Sequence, residues 1–160
     1  MKFKSIIKAF GLMTAGFAAG AMILSKTKNK VIKQRETKVD KFKGYYETLN
    51  QWMQLKQEGK SLEQYFDQNG YKSIAIYGMG ELGNRLYFDL KDSNIQIKYA
   101  IDKNAERTYS ELNVVTLEDE LEDVDAIVVS AVFAFDEAEK EISKVMSCPI
   151  ISLKDVVFEI

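Results

Sequence analysis

The clearest pattern in the chain is an apolar run that stops at glycine. Ile74, Ala75, Ile76 and Tyr77 make a short β-rich segment, and Gly78-Met79-Gly80-Glu81-Leu82-Gly83 follows it directly. A helical stretch comes next, carrying Leu82, Leu86, Phe88 and Leu90, and then residues 95–101 read as a second strand that ends on Asp102. Downstream, residues 113–116 predict a short edge strand and residues 117–121 a short helical segment. Residues 125–131 are almost continuously apolar, as a strand covered on both faces must be. An amphipathic helix over 135–146, a last strand over 148–152 and a short helix over 153–158 complete the chain. Strands alternating with helices predict an α/β fold with a parallel sheet of four to five strands, right-handed crossovers and helices on both faces, the strand from Ser73 lying centrally.

The segment before the first strand is helical in pattern. Between Val31 and Glu58 there is no proline, and Ile32, Val39, Phe42, Tyr46, Leu49 and Met53 recur at spacings of three and four. This stripe has two readings: a parallel coiled coil between two copies, or a helix laying the stripe on its own α/β domain. Tyr45 and Trp52 broaden the apolar side beyond a narrow seam and favour the second. Gly59 closes the helix, and Ser61-Leu62-Glu63-Gln64 has the form of a capping box opening another that runs to Gly70.

Charge divides the chain. Residues 1–43 hold 11 Lys or Arg against 2 acids, a balance of +9, whereas residues 44–160 hold 11 against 22, a balance of −11. Within the basic part, residues 9–24 carry no charge, and with Ile6 and Ile7 the apolar run reaches across about 28 Å at 1.5 Å per residue, just enough for a hydrocarbon core of about 30 Å. A run of this length also suits a buried helix or one lying in the membrane interface, and Lys2, Lys4 and Lys8 before it suit a signal peptide, but the run continues past Ala19-Gly20-Ala21 and is followed by Lys26, Lys28, Lys30, Lys33 and Arg35. The favoured reading is an uncleaved single-pass anchor at residues 6–24 in the cell membrane, with the C-terminal domain in the cytoplasm by the positive-inside rule. Gly16-x-x-x-Gly20 offers a strip through which two such helices pack, giving a route to a homodimer through Gly16, Gly20 and the helix that follows. No aromatic residue is interleaved with the lysines to stack bases, so nucleic acid is not expected as a partner. The expected organisation is an anchor at 1–25, a basic linker and amphipathic helix at 26–60, and an α/β domain at 61–160.

Composition removes whole classes of chemistry. The chain has no histidine and one cysteine, so an internal disulfide, a cysteine-rich zinc site and a Ser-His-Asp triad are excluded. Cys148, next to Pro149 at a strand start, reads as a packing residue. What remains is the glycine turn in the context it requires: strand before, helix after, acid at the end of the next strand. In such a turn Gly78 allows the tight bend, Gly80 lets backbone approach a pyrophosphate, Gly83 lets the helix close on the sheet, and Asp102 meets a ribose hydroxyl. The candidate ligand positions are Gly78, Met79, Gly80, Glu81, Leu82, Gly83, Arg85, Asp102, Lys103 and Ser130, with NAD or a nucleotide-sugar as the expected ligand. No catalytic residue and no metal ligand is nominated.

Taken together, IAIYGMGELGNRLYFDL, IKYAIDKN, DVDAIVVSAVFAFDE and CPIISLKDVVFEI resemble small bacterial Rossmann-type nucleotide-binding modules that accompany polysaccharide and sugar-nucleotide biosynthesis proteins. The resemblance covers about residues 70–160. It implies a Rossmann-like fold, ligand positions at Gly78, Gly80, Gly83 and Asp102, and an accessory role in polysaccharide assembly without catalysis of its own. Two other functions stay open: a small NAD-dependent oxidoreductase or epimerase, for which no Tyr-x-x-x-Lys pair is present, and a protein-interaction scaffold that binds no ligand.

Overall fold

The structure, a computed structural model, describes residues 35–108 and 110–160. It divides into a unit of residues 1–43 and a unit of residues 44–160. In the first, the described residues 35–43 are helical and exposed. The apolar run at 6–24 and the Gly16/Gly20 strip lie outside the described residues, among which no helix is long and apolar enough to cross a membrane.

The second unit begins with a helix over residues 44–57 (α1), followed by α2 (Glu63–Gln68), β1 (Ser73–Tyr77), α3 (Glu81–Leu90), β2 (Gln96–Ile101), β3 (Val114–Val115), β4 (Ala126–Val129), α4 (Phe135–Ile142), β5 (Ile150–Ser152) and α5 (Leu153–Phe158). The five strands form one sheet in the order β3-β2-β1-β4-β5, and every neighbouring pair is parallel. β1 is central, as its apolar run requires. Ile76 lies opposite Ala100 of β2 and Val128 of β4, with one irregularity in register between Ile74 and Ala75. The segment 117–121 forms a turn rather than a helix, and α4 ends at Ile142 instead of running to Met146.

Side chains alternate across the sheet with the two-residue period of a strand, which divides the core in two. Ile74, Ile76, Ala100, Ala126 and Val128 face α1, α2, α3 and α5 through Trp52, Leu55, Phe66, Leu82, Leu86, Leu90, Leu153 and Val156. Ala75, Tyr77, Tyr99, Ile101, Ile127 and Val129 face Ala138 and Ile142 of α4. Each such large side chain contributes roughly 1.5–3 kcal/mol by leaving water.

The helix preceding the sheet packs on it with Leu49 of the stripe its spacing suggests and with Tyr45, but the face turned fully inward is a neighbouring one. Thr48, Trp52 and Leu55 are buried, whereas Tyr46 and Met53 of the 3-and-4 stripe are 69% and 60% exposed. Two aromatic-rich turns compete for the core, and the indole, the larger surface, takes it; Lys56 then pairs with the nearly buried Asp89 of α3. The capping box is also only half made. Ser61 Oγ accepts from the Glu63 amide at 3.2 Å, but the Glu63 carboxylate accepts from the backbone and side-chain amides of Asn94, both at 2.9 Å, and so ties α2 to the turn before β2.

Candidate functional site

The chain runs from β1 outward to β3 and then crosses back to β4, so the strand order reverses between β1 and β4. At such a point the loops beyond the carboxyl ends of the two strands diverge and leave a crevice. The glycine turn sits at its edge. Gly78 donates its N–H to Ile101 at 2.8 Å and then bends at φ +91°, a conformation that side chains disfavour. Met79 folds into the core at 5% exposure, and Gly80 caps α3 in extended conformation, φ −71° and ψ −163°, without a side-chain bond to the helix. The first-turn amides of α3 therefore have neither an intrahelical acceptor nor a capping oxygen; Asn84 N–H is the first to find one, Gly80 C=O at 3.0 Å.

Each glycine answers a different question. Gly78 is required by its dihedral angle. Gly83 is required by packing, because a Cβ there would stand 2.0 Å from the Gly78 carbonyl oxygen. Gly80 is required by neither: its φ is ordinary, and a Cβ would meet no atom within 4 Å.

Three side chains hold the turn. Asn84 Nδ2 donates to the Met79 and Gly80 carbonyls at 2.9 and 3.0 Å. Ser130, buried at the end of β4, donates its hydroxyl to Gly78 C=O at 2.5 Å. Asp102, beyond β2, accepts from the Met79 amide at 2.9 Å through Oδ2 and from the Asn104 amide at 2.8 Å through Oδ1. Its carboxylate thus points at the glycine turn, and each oxygen keeps a lone pair for another donor.

The crevice encloses about 300 Å³ between Gly78, Asp102, Lys103 and Asn104 on one side and Ala131, Ala134, Glu137 and Ala138 on the other, and Tyr77 also lines it. A neighbouring cavity of about 540 Å³ shares Tyr77, Asp102 and Lys103 and extends to Thr116, Leu117, Glu118, Glu141 and Lys144. Where the two meet, Lys103 Nζ pairs with Glu141 at 2.9 Å to Oε2 and 3.2 Å to Oε1, and Tyr77 donates its hydroxyl to Oε2 at 3.3 Å. The bond to Glu141 raises the Lys103 pKa, and the same bond lowers that of Glu141. Burial raises that of Tyr77. Together the two cavities fall within the range of small-molecule sites.

Of the ten positions singled out from sequence, Gly78, Gly80, Gly83, Asp102 and Ser130 come together at the turn, and Lys103 lines the crevice. Glu81 is exposed in the first turn of α3. The side chains of Met79 and Leu82 are in the core, and the Met79 amide is taken by Asp102. Arg85 is elsewhere: it lines a groove of about 610 Å³ between α1 and α3 with Leu49, Trp52, Met53, Lys56, Phe88 and Asp89. Being one helical turn beyond Glu81 does not keep it on the crevice side, because α3 buries Leu82 and Leu86 and turns Arg85 toward α1. Sequence reasoning gave no role to Asn84, whose place in the first turn was the available signal. It passed over Glu141 altogether, since nothing local ties an acid on α4 to a lysine after β2.

A parallel sheet of this order, a glycine turn into a helix and an acid at the end of the next strand define a Rossmann-like α/β module. No family model matches the chain, and no solved structure matches it. Among curated proteins it is similar to the ketol-acid reductoisomerase (NADP(+)) of Photorhabdus laumondii, with 37% identity over 68 residues. The match covers 38% of this chain and 14% of the reductoisomerase.

Proposed function

We propose that the module binds a dinucleotide of the NAD(P) kind, or a nucleotide-sugar, in the crevice between β1 and β4. The pyrophosphate would lie against the open amides at the start of α3, where the helix dipole favours negative charge, and a ribose would donate to the free lone pairs of Asp102. Gly80 carries the reading. Its φ is ordinary and a Cβ would meet no atom within 4 Å, so beyond the modest preference of an N-cap for glycine over alanine nothing in the fold keeps it bare, and the space above it is what a close-lying phosphate needs. The similarity to an enzyme named for NADP(+) supports the same ligand class. Membrane anchorage at residues 6–24, a cytoplasmic α/β module and service to polysaccharide or sugar-nucleotide assembly belong to the proposal on sequence grounds alone. Titration calorimetry of the full-length protein with NAD, NADP and a UDP-sugar tests the ligand. Saturable 1:1 heat with at least one of them is expected, and no heat with any overturns the reading.

A further inference from the structure

We infer that Glu141 sets the ribose preference of this site by holding Lys103 across the crevice. The inference rests on the nucleotide-binding reading above and extends it to a positioning residue on α4. Asp102 is held by the Met79 and Asn104 amides, one on each carboxylate oxygen. A ribose diol offers donors to it; a 2′-phosphate brings roughly −1.5 to −2 of charge and three acceptor oxygens to the same place. That group is tolerated only if a cation meets it. Lys103, which directly follows Asp102, is the cation that lines the crevice with Gly78, and both oxygens of Glu141 engage it.

Glu141 is itself steadied by the Tyr77 hydroxyl from β1. It therefore acts twice against a phosphate: it occupies the cation, and it adds a carboxylate to the neighbouring cavity that Asp102 and Lys103 also line, while Glu137 stands in the wall of the crevice itself. Lys144 lines the neighbouring cavity, as Glu141 does, and Arg85 faces the groove between α1 and α3. Neither lines the crevice in place of Lys103. The wild-type site accordingly prefers the unphosphorylated ribose.

Removing the charge of Glu141 while keeping its shape frees the lysine. Titration calorimetry of NAD and NADP on the wild type, E141Q, E141D and the double variant K103Q/E141Q reads the effect. E141Q should move the NADP-to-NAD affinity ratio at least tenfold toward NADP while changing NAD affinity less than about threefold. E141D, which keeps a carboxylate, should retain most of the wild-type preference, and the double variant should lose the gain. The gain should also shrink in high salt, since it is carried by exposed charges. An equal change for both ligands in E141Q, a shift that survives in K103Q/E141Q, or a wild type that prefers NADP overturns the role of Glu141 and leaves the nucleotide site standing. Absence of binding by every variant removes the nucleotide site itself.

Discussion

Gly80→Ala separates the folding role of the glycine turn from its binding role. The new methyl group meets no protein atom within 4 Å, and φ at −71° suits alanine. Two small terms then decide stability. Alanine is a poorer N-cap than glycine by about 0.5–1 kcal/mol, and it lowers the entropy of the unfolded chain by about 0.4–1 kcal/mol in the opposite sense. Their difference stays within about 0.5 kcal/mol, so the melting temperature should move by less than about 2 °C. Binding has no such cancellation. The methyl group occupies the space over the first-turn amides of α3, and a phosphate displaced by one methyl radius loses charge-assisted bonds to those amides, each worth about 1.5–3 kcal/mol. Loss of one is at least a tenfold rise in Kd. Thermal melting followed by circular dichroism and titration calorimetry with the ligand the wild type binds give the two numbers. A variant that melts with the wild type and still binds with unchanged Kd would refute the claim that Gly80 is kept open for a ligand.

Gly83→Ala should show the opposite balance: its Cβ would stand 2.0 Å from a carbonyl oxygen of the backbone, which forces α3 away from the turn, costs on the order of 3 kcal/mol and lowers the melting temperature by roughly 6–12 °C. Tyr99, buried with its hydroxyl on the Glu122 carbonyl at 2.7 Å, has its pKa pushed up to about 12 from an ordinary 10.0 by burial. The folded state keeps this proton after the unfolded chain has lost it, so the contribution is whole below pH 10 and falls by about 2–3 kcal/mol as the pH rises through 12; denaturant melts of the wild type and Tyr99→Phe between pH 9 and 12 should converge. Burial raises the Cys148 thiol pKa, so iodoacetamide at pH 8 should alkylate it several-fold more slowly in the native protein than in urea, and equal rates would place the thiol in open solvent.

The strands were legible because their chemistry is local. A run such as Ala126 to Val129 is apolar at every position, which only a sheet covered on both faces explains, and the glycine turn announced the point where β1 gives way to α3. Gly78 and Gly83 were legible for the same reason, since a positive φ and a close helix–turn contact are demands that only glycine meets. Where periodicity alone had to choose, it chose less well. The helix before the sheet offers two apolar faces, Tyr46 with Met53 and Thr48 with Trp52 and Leu55, and spacing cannot say which one the sheet will cover. Arg85 stands exposed on α3, as a helical arginine does by default: four residues beyond Glu81 is one helical turn along the axis, and the side chain's heading depends on how α3 rolls to bury Leu82 and Leu86.

Glu141 marks the remaining gap, and it is a gap of distance in sequence. Thirty-eight residues separate it from Lys103, and only the parallel pairing of β1 with β4 brings α4 over the end of β2. The glycine turn and its acid are specified within one βαβ unit, so a sequence that spells them can be read for a phosphate and a ribose. The charge that would decide, on the proposed reading, what kind of ribose is tolerated comes from the other half of the fold. Asp102 joins the two: its carboxylate bonds the Met79 amide of the turn on one oxygen and the Asn104 amide on the other, and the residue between it and Asn104 is the lysine that Glu141 holds. A ligand that draws on Asp102 would therefore meet the turn and the ion pair at once, so that in the proposed site the binding of a phosphate at one end and the choice of ribose at the other would be coupled through one carboxylate.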